Sequence, residues 1–360
     1  ACLVGSEMCI RDRMDTAETN VPVPADEAKK VLIVGAGGFV GGFLVTEALR
    51  RGYKVWAGVR KSTSRQYLSD IDIKFAVFDY DKPETLDESL RKAMPEGKWD
   101  YIVYNLGATK VKTYADFSRI NYTYLRDFTN ALKRTGMVPD KFLYMSSLSA
   151  MGKGDEKHYT SFNEEMIPRP DTRYGASKLK AEIWLQSEGL PYIIFRPTGI
   201  YGPRDMDYYL MFKSLAKGFD FSVGYRRQLL TFIYVEDLAR AVFMALENAP
   251  TESVYDISEP RAYSQKEFRH IAMRQMGKRF VMPMRMPLWA VRAVCAVAEK
   301  IGVARNKPST LNSDKYRIMK QRNWTVSTDK ATREFGFTAT TSLHEGVAKA
   351  IEWYKQHQWL

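Results

Sequence analysis

Apolar residues in the first half of the chain fall into short, β-branched runs separated by stretches with helical spacing. Lys30 to Val34 reads KVLIV, and YKVWAGVR (53–60), KFAVFDY (74–80), YIVYNLGA (101–108), KFLYMSS (141–147) and YIIFRP (192–197) repeat the type. Runs this short and this apolar, bounded by turn residues, predict parallel strands buried on both faces. Their alternation with helical segments predicts an α/β fold, a doubly wound parallel sheet. From about Thr198 the pattern changes to aromatic loops and longer helices, which marks a second, smaller domain.

The first strand runs directly into GAGGFVG, with glycines at Gly35, Gly38 and Gly41 and the apolar pair Phe39 and Val40 between them. FLVTEALRRGY follows with helical spacing and stops at Gly52. Strand, glycine turn and helix are the context a dinucleotide needs. The glycines allow a tight turn and close backbone approach, so that a pyrophosphate rests on the helix N-terminus. This makes the sheet a Rossmann fold in expectation. Downstream, Tyr174 and Lys178 in YGASK sit at i and i+4 of a helix and project from one face. A phenol with a pKa near ~10 is a poor proton donor at neutral pH, and an ammonium beside it favours the phenolate.

Ser146-Ser147-Leu148-Ser149 at a strand end, YIIFRPTGIYGP after the YGASK helix, and FIYVEDLARAV from Phe232 to Val242 complete an ordered set. Together these motifs resemble the extended short-chain dehydrogenase/reductase superfamily, in its NAD-dependent epimerase/dehydratase group, from about Lys30 to the C-terminus. The resemblance implies an NAD(P)-dependent oxidoreductase. Its nucleotide-binding Rossmann domain would span 29–197 plus 232–258, and a substrate-binding domain 198–231 plus 259–360. It further implies hydride transfer with Tyr174 as acid/base, Lys178 holding the ribose and lowering the phenol's pKa, and Ser147 on the substrate oxygen. Ser147 is preferred to Ser146 by registering SSLSAMG on the family's strand end at Gly152.

An NAD-selective site places an acid at the end of the second strand. Here that strand ends in Arg60-Lys61-Ser62, and no acid occurs until Asp70. Arg60, with Lys61 and Arg65 near it, suits a 2′-phosphate, so NADP(H) is expected in preference to NAD(H). By resemblance, Asp79 and Tyr80 meet the adenine, and Asn105, Leu106, Gly107, Ala108 and Thr109 line the nicotinamide ribose. Asn121 buttresses Lys178, and Pro197 and Thr198 lie beneath the carboxamide.

The dehydratases of the family carry an Asp-Glu pair where this chain has Leu148 and Ser149. Its nucleotide-sugar epimerases commonly carry an Arg where this chain has Leu230, although Arg226 and Arg227 lie close. These departures favour the branch resembling dihydroflavonol 4-reductases and 3β-hydroxysteroid dehydrogenases, which 324–354 also resembles. The expected substrate is then a small apolar alcohol or ketone. Tyr208, Tyr209, Phe212, Phe219 and Phe221 are expected to face it. A nucleotide-sugar epimerase is the alternative, and a non-catalytic NADP-binding regulator the third reading.

Composition narrows the partners. The chain has 360 residues, 45% of them apolar, and a net charge of +12. Its cations are scattered without a nucleic-acid motif, so attraction of an anionic cofactor or substrate is expected rather than nucleic-acid binding. Residues 1–13, ACLVGSEMCIRDR, look like a translated library adapter with Met14 as the truer start, and 1–28 is expected to be a disordered lead-in. Setting aside Cys2 and Cys9 leaves Cys295 alone, which fits a reducing cytoplasm and a small core residue. Only four His are present and none has ligand spacing, so no metal is expected. The segment 286–304, MPLWAVRAVCAVAEKIGVA, is too short and charged to span a bilayer. It is expected as a core or dimer helix, ahead of a substrate lid or a membrane-surface helix. A homodimer is the expected assembly.

Overall fold

The computed structural model describes residues 28–305, 309 and 311–360. The expected lead-in therefore lies, except for Ala28, outside the described residues. The first half alternates β1 (Lys30–Val34), α1 (Phe39–Arg50), β2 (Lys54–Val59), β3 (Lys74–Val77), α2 (Leu86–Ala93), β4 (Tyr101–Tyr104), α3 (Tyr114–Ser118), α4 (Tyr124–Thr135), β5 (Lys141–Met145), α5 (Arg173–Ser187) and β6 (Tyr192–Pro197). Next come β7 (Gly199–Tyr201), α6 (Asp207–Ala216), β8 (Phe219–Val223), β9 (Leu229–Leu230), β10 (Phe232–Tyr234), α7 (Val235–Asn248) and β11 (Ser253–Ile257). The last part holds β12 (Tyr263–Ser264), α8 (Gln265–Gln275), β13 (Met282–Met286), α9 (Leu288–Ala304), α10 (Ser313–Lys320), β14 (Asn323–Trp324), α11 (Asp329–Phe335) and α12 (Leu343–Gln356).

Seven parallel strands form one sheet in the order β11-β6-β5-β4-β1-β2-β3. Successive side chains of β1 go to opposite faces, as the two-residue period of a strand requires. Val31 and Ile33 join Leu44, Val45 and Val242 of α1 and α7, whereas Leu32 and Val34 join Leu125, Phe128 and Leu185 of α4 and α5. Both faces are covered, which is why these strands read as continuous apolar runs. The winding reverses between β1 and β4, and a crevice opens there at the carboxyl ends of the strands.

The smaller side is built from short ribbons, β10 on β7, β9 between β12 and β14, and β13 on β8. Its core gathers Tyr201, Phe212, Phe232, Phe268 and Tyr354. Two expectations change here. Tyr209 and Phe212 are buried in that core, so of the five aromatics only Tyr208, Phe219 and Phe221 keep exposed surface. Helix α11, expected on the substrate side, packs on the sheet instead: Phe335 stacks on Phe195 at 6.1 Å and meets Tyr255 edge-on at 5.0 Å. The segment 286–304 also divides, because Met286 ends β13 and the helix starts after Pro287. Cys295 is buried and free. No helix among the described residues is long and apolar enough to cross a membrane.

Candidate active site

The turn from β1 into α1 is shaped for a ligand's backbone approach. Gly35 has φ +81°, a left-handed conformation that disfavours a side chain. A Cβ on Gly41 would stand 2.2 Å from the Gly35 carbonyl oxygen. Gly38 caps α1 without any side-chain acceptor, so the first amides of the helix stay free for an anion. Arg204 sits beside this helix with φ +72°, its guanidinium 4.8 Å from the Phe43 ring and 4.0 Å from that of Tyr67. Among the described residues its buried Nε has no hydrogen-bond partner. No local motif singles Arg204 out, because its neighbours Phe43 and Tyr67 lie far from it along the chain.

Tyr174 starts α5, whose N-cap Thr172 accepts from the Gly175 amide at 3.0 Å. The phenol is half-buried, and desolvation pushes its pKa up to about 12, offset in part by a hydrogen bond with the Ser147 hydroxyl. Ser146, one residue earlier, turns the other way and donates to Glu182. Lys178 is buried one helical turn beyond Tyr174, and its ammonium donates to the Met145 carbonyl at 2.8 Å. Desolvation lowers its pKa to about 8, against the opposing pull of the Glu182 carboxylate. The Lys178 charge is directed to Met145, and the expected lowering of the Tyr174 pKa is not seen.

Gly107 explains how the segment after β4 reaches the pair. A Cβ there would lie 2.9 Å from Lys178 Nζ and 3.2 Å from Asn121 Oδ1. Asn121 is buried in a wide π-helical turn, Arg119–Thr123. Its Oδ1 accepts from the Ala108 amide at 2.8 Å, and its Nδ2 donates to Ser177 Oγ at 2.9 Å. Ser177 in turn donates to the Tyr174 carbonyl at 2.7 Å. Asn121 thus ties Gly107–Ala108 to the Tyr174 helix, without a hydrogen bond to Lys178 itself among the described residues. Asn105, Leu106 and Ala108 are half-buried, whereas Gly107 and Thr109 are exposed. Pro197 is buried below them, and the Thr198 hydroxyl donates to Ser258 at 3.3 Å.

Arg60 and Lys61 are exposed beyond β2, and no acid stands at that strand end. Arg65 lies over the Phe75 ring at 4.1 Å. Asp79 is exposed, but Tyr80 is a correction: its ring is buried, stacked on Tyr124 at 5.5 Å, and offers no side-chain contact to a ligand. Among the described residues no cluster of His, Cys, Asp or Glu is placed to hold a metal.

Beneath α5, Glu182 and Arg196 form a buried pair at 2.6 Å. Glu182 falls at i+8 from Tyr174, on the same helix face, which is the one signal for it in the sequence. Asp314 of α10 accepts from the Tyr174 amide at 3.0 Å and had no such signal. On the smaller side, a cavity of about 390 Å³ is lined by Tyr208, Phe221, Arg226, Arg227, Leu230 and Arg285, among others.

A free helix N-terminus behind a glycine turn, at the switch point of a doubly wound sheet, defines a dinucleotide-binding α/β protein. Residues 31–258 match the NAD dependent epimerase/dehydratase family, and the chain belongs to it. It is an enzyme of the oxidoreductase type, within the extended short-chain dehydrogenase/reductase superfamily. A ceramide reductase of Caulobacter vibrioides is 25% identical over 92% of this chain and 96% of its own length. A decarboxylating sterol-4-alpha-carboxylate 3-dehydrogenase of Dictyostelium discoideum is 22% identical, over 89% and 99%. Among solved structures, the dTDP-glucose 4,6-dehydratase of Bacillus anthracis in complex with NAD superimposes with a TM-score of 0.74, at 17% identity over 92% of this chain and 98% of that one.

Proposed function

We propose that this enzyme is an NADP(H)-dependent reductase that interconverts a ketone and an alcohol on an apolar, lipid-like substrate. The observation that carries the reading is the joining of Tyr174, Ser147 and Lys178 at the crevice, with Leu148 and Ser149 adding no acid or base for elimination. The similarity to a ceramide reductase and a sterol dehydrogenase supports the apolar substrate. The turn at Gly35 and Gly41 and the uncapped α1 fit a dinucleotide pyrophosphate, and the side-chain-free Gly107 leaves room for a ribose near Lys178. When bound, the nicotinamide supplies or takes the hydride.

The rest follows from the chain's own groups. Ser147 orients the substrate oxygen, and Tyr174 gives it a proton as the carbonyl carbon is reduced. Exchanging its Met145 contact for the ribose hydroxyls would bring the Lys178 charge to bear on the phenol. Arg60 would pair with the 2′-phosphate. Replacing Arg60 by Asp should weaken NADPH binding roughly thirtyfold, the loss of one charge-assisted contact. Fluorescence titration with NADPH and NADH checks this, and tighter NADH binding by the wild type would remove the preference.

The epimerase reading keeps one supporting observation: Arg226, Arg227 and Arg285 around the cavity would suit a diphosphate. Arg269, also in its lining, is already paired with Asp220 at 2.9 Å. Long-chain ketones and nucleotide sugars offered to the purified enzyme separate the two. Stoichiometric loss of NADPH absorbance with the ketone is expected. Epimerisation of a sugar nucleotide with no net absorbance change would replace the reductase reading.

A further inference from the structure

Helix α9 carries the wrong surface for a helix in water. Val291 and Cys295 face the protein, and Glu299 turns toward α10, accepting from the Ser313 amide at 2.9 Å. At about 3.6 residues per turn, Trp289, Ala293, Ala296, Val297 and Ala304 lie together on the opposite side, with Lys300 among them. Trp289 is 75% exposed and Val297 58%, with Val294 and Ile301 exposed on the flank. A helix with apolar residues on two opposite sides is normally covered on both.

The ribbon that leads into α9 repeats the feature. The register of β8 and β13 sets Phe219 beside Met282 and Phe221 beside Met284, and all four are exposed. Asp220, between the two phenylalanines, points inward to Arg269. The same segment carries Lys278, Arg279, Arg292 and Lys300, with Arg285 on the cavity side of the ribbon, and Glu299 is the one acid from 278 to 300. Among the described residues none of these five cations has an ion-pair partner.

We propose that α9 and the β8–β13 ribbon form a peripheral face that lies on an anionic lipid surface. Charge selects this occupant over a second copy of the chain. A two-fold interface through α9 would bring the Arg292 and Lys300 cations of both copies into one contact, with Glu299 turned away from relieving them. A bilayer with anionic headgroups takes the apolar stripe and answers the cations, whose stems reach along the apolar surface while their charges stay at headgroup level. The face adjoins the catalytic helix, because α10, packed on α9, holds the Tyr174 amide through Asp314 at 3.0 Å. Exposure and charge carry this proposal, so it does not depend on the reductase reading.

Flotation of the full chain with vesicles tests it. Binding is expected to phosphatidylcholine mixed with phosphatidylglycerol, and to weaken on pure phosphatidylcholine and at high salt. Trp289→Glu with Val297→Glu should lower binding at least about tenfold. Arg292→Glu with Lys300→Glu should lower it roughly fivefold or more per charge. Ile71→Glu, on an exposed site away from this face, should leave it unchanged. NADPH binding and the thermal midpoint, unchanged in all variants, show that they are folded. A wild type that fails to float with anionic vesicles, or floats equally after Trp289→Glu with Val297→Glu, overturns the proposal. So does a dimer that these two substitutions dissociate while vesicle binding is absent. NADPH consumption is read separately, so failure of the reductase reading leaves the flotation result intact.

Discussion

Helices α5 and α9, of 15 and 17 residues, depart from the ordinary partition of a surface helix in opposite directions. Helix α5 takes polar groups inside: Ser177, Lys178 and Glu182 are buried while Ile183 is exposed. Helix α9 puts Trp289, Val294, Val297 and Ile301 outside. The cost in α5 is met within the fold. Lys178 has the Met145 carbonyl, and Glu182 has Arg196 and Ser146. Buried charges persist only when paired or hydrogen-bonded. Among the described residues nothing covers the outer stripe of α9. An inverted pattern satisfied from within marks a chemical site, and one left unsatisfied points to something outside.

The comparison breaks first at Tyr174. Tyr174→Phe removes the proposed proton donor and should cut turnover by about 10²–10⁴-fold. NADPH affinity, read by nicotinamide fluorescence, should barely change, because the glycine turn and Lys178 are untouched. Near-normal turnover would mean that α5 buries its polar groups for structure alone.

Glu182→Ala should be the most damaging to the fold, since it leaves the Arg196 guanidinium buried and unpaired. A loss of about 3–5 kcal/mol in urea unfolding is expected. Adding Arg196→Met should recover part of it; no recovery would show that the pair is not the unit.

Lys178 gives the pH dependence. Its pKa in the fold, about 8, lies below the ordinary 10.5. Below pH 8 both folded and unfolded chains hold the proton, so the burial penalty, roughly 3 kcal/mol, is present in full. Between the two values the folded chain releases its proton first, so stability rises with pH, and above both the penalty is gone. Lys178→Met lacks this dependence. Its stability advantage over the wild type should therefore shrink as pH rises through that window, and a flat difference would show that Lys178 is not desolvated.

The smallest effect belongs to α9. Trp289→Ser should alter stability by less than about 0.5 kcal/mol, because the ring already lies in water. A larger loss on denaturant unfolding would place Trp289 in the protein's own packing.

Much of this was legible along the chain because short-range sterics govern it. The β1–turn–α1 unit and the shared face of Tyr174 and Lys178 follow from strand period, glycine freedom and helical pitch, each acting over a few residues. The absence of an acid after β2 is likewise a local reading. Tyr80 and the pair Tyr209 and Phe212 were misjudged for one reason: an aromatic in an apolar pattern does not say whether its ring meets a ligand or a neighbour. In the fold they meet Tyr124, Trp359 and Phe268.

The sequence by itself determined the order of strands and helices, the glycine turn, the i,i+4 spacing of the phenol and ammonium, and the basic, apolar character of 278–304. Tertiary structure alone decided that Asp314 holds the start of α5, that Arg204 stands beside α1, that α11 packs on the sheet, and which side of α9 is left bare. The division is physical. Backbone conformation and side-chain periodicity are set by atoms a few bonds apart, whereas a partner far along the chain is chosen by which surfaces the packed core brings together.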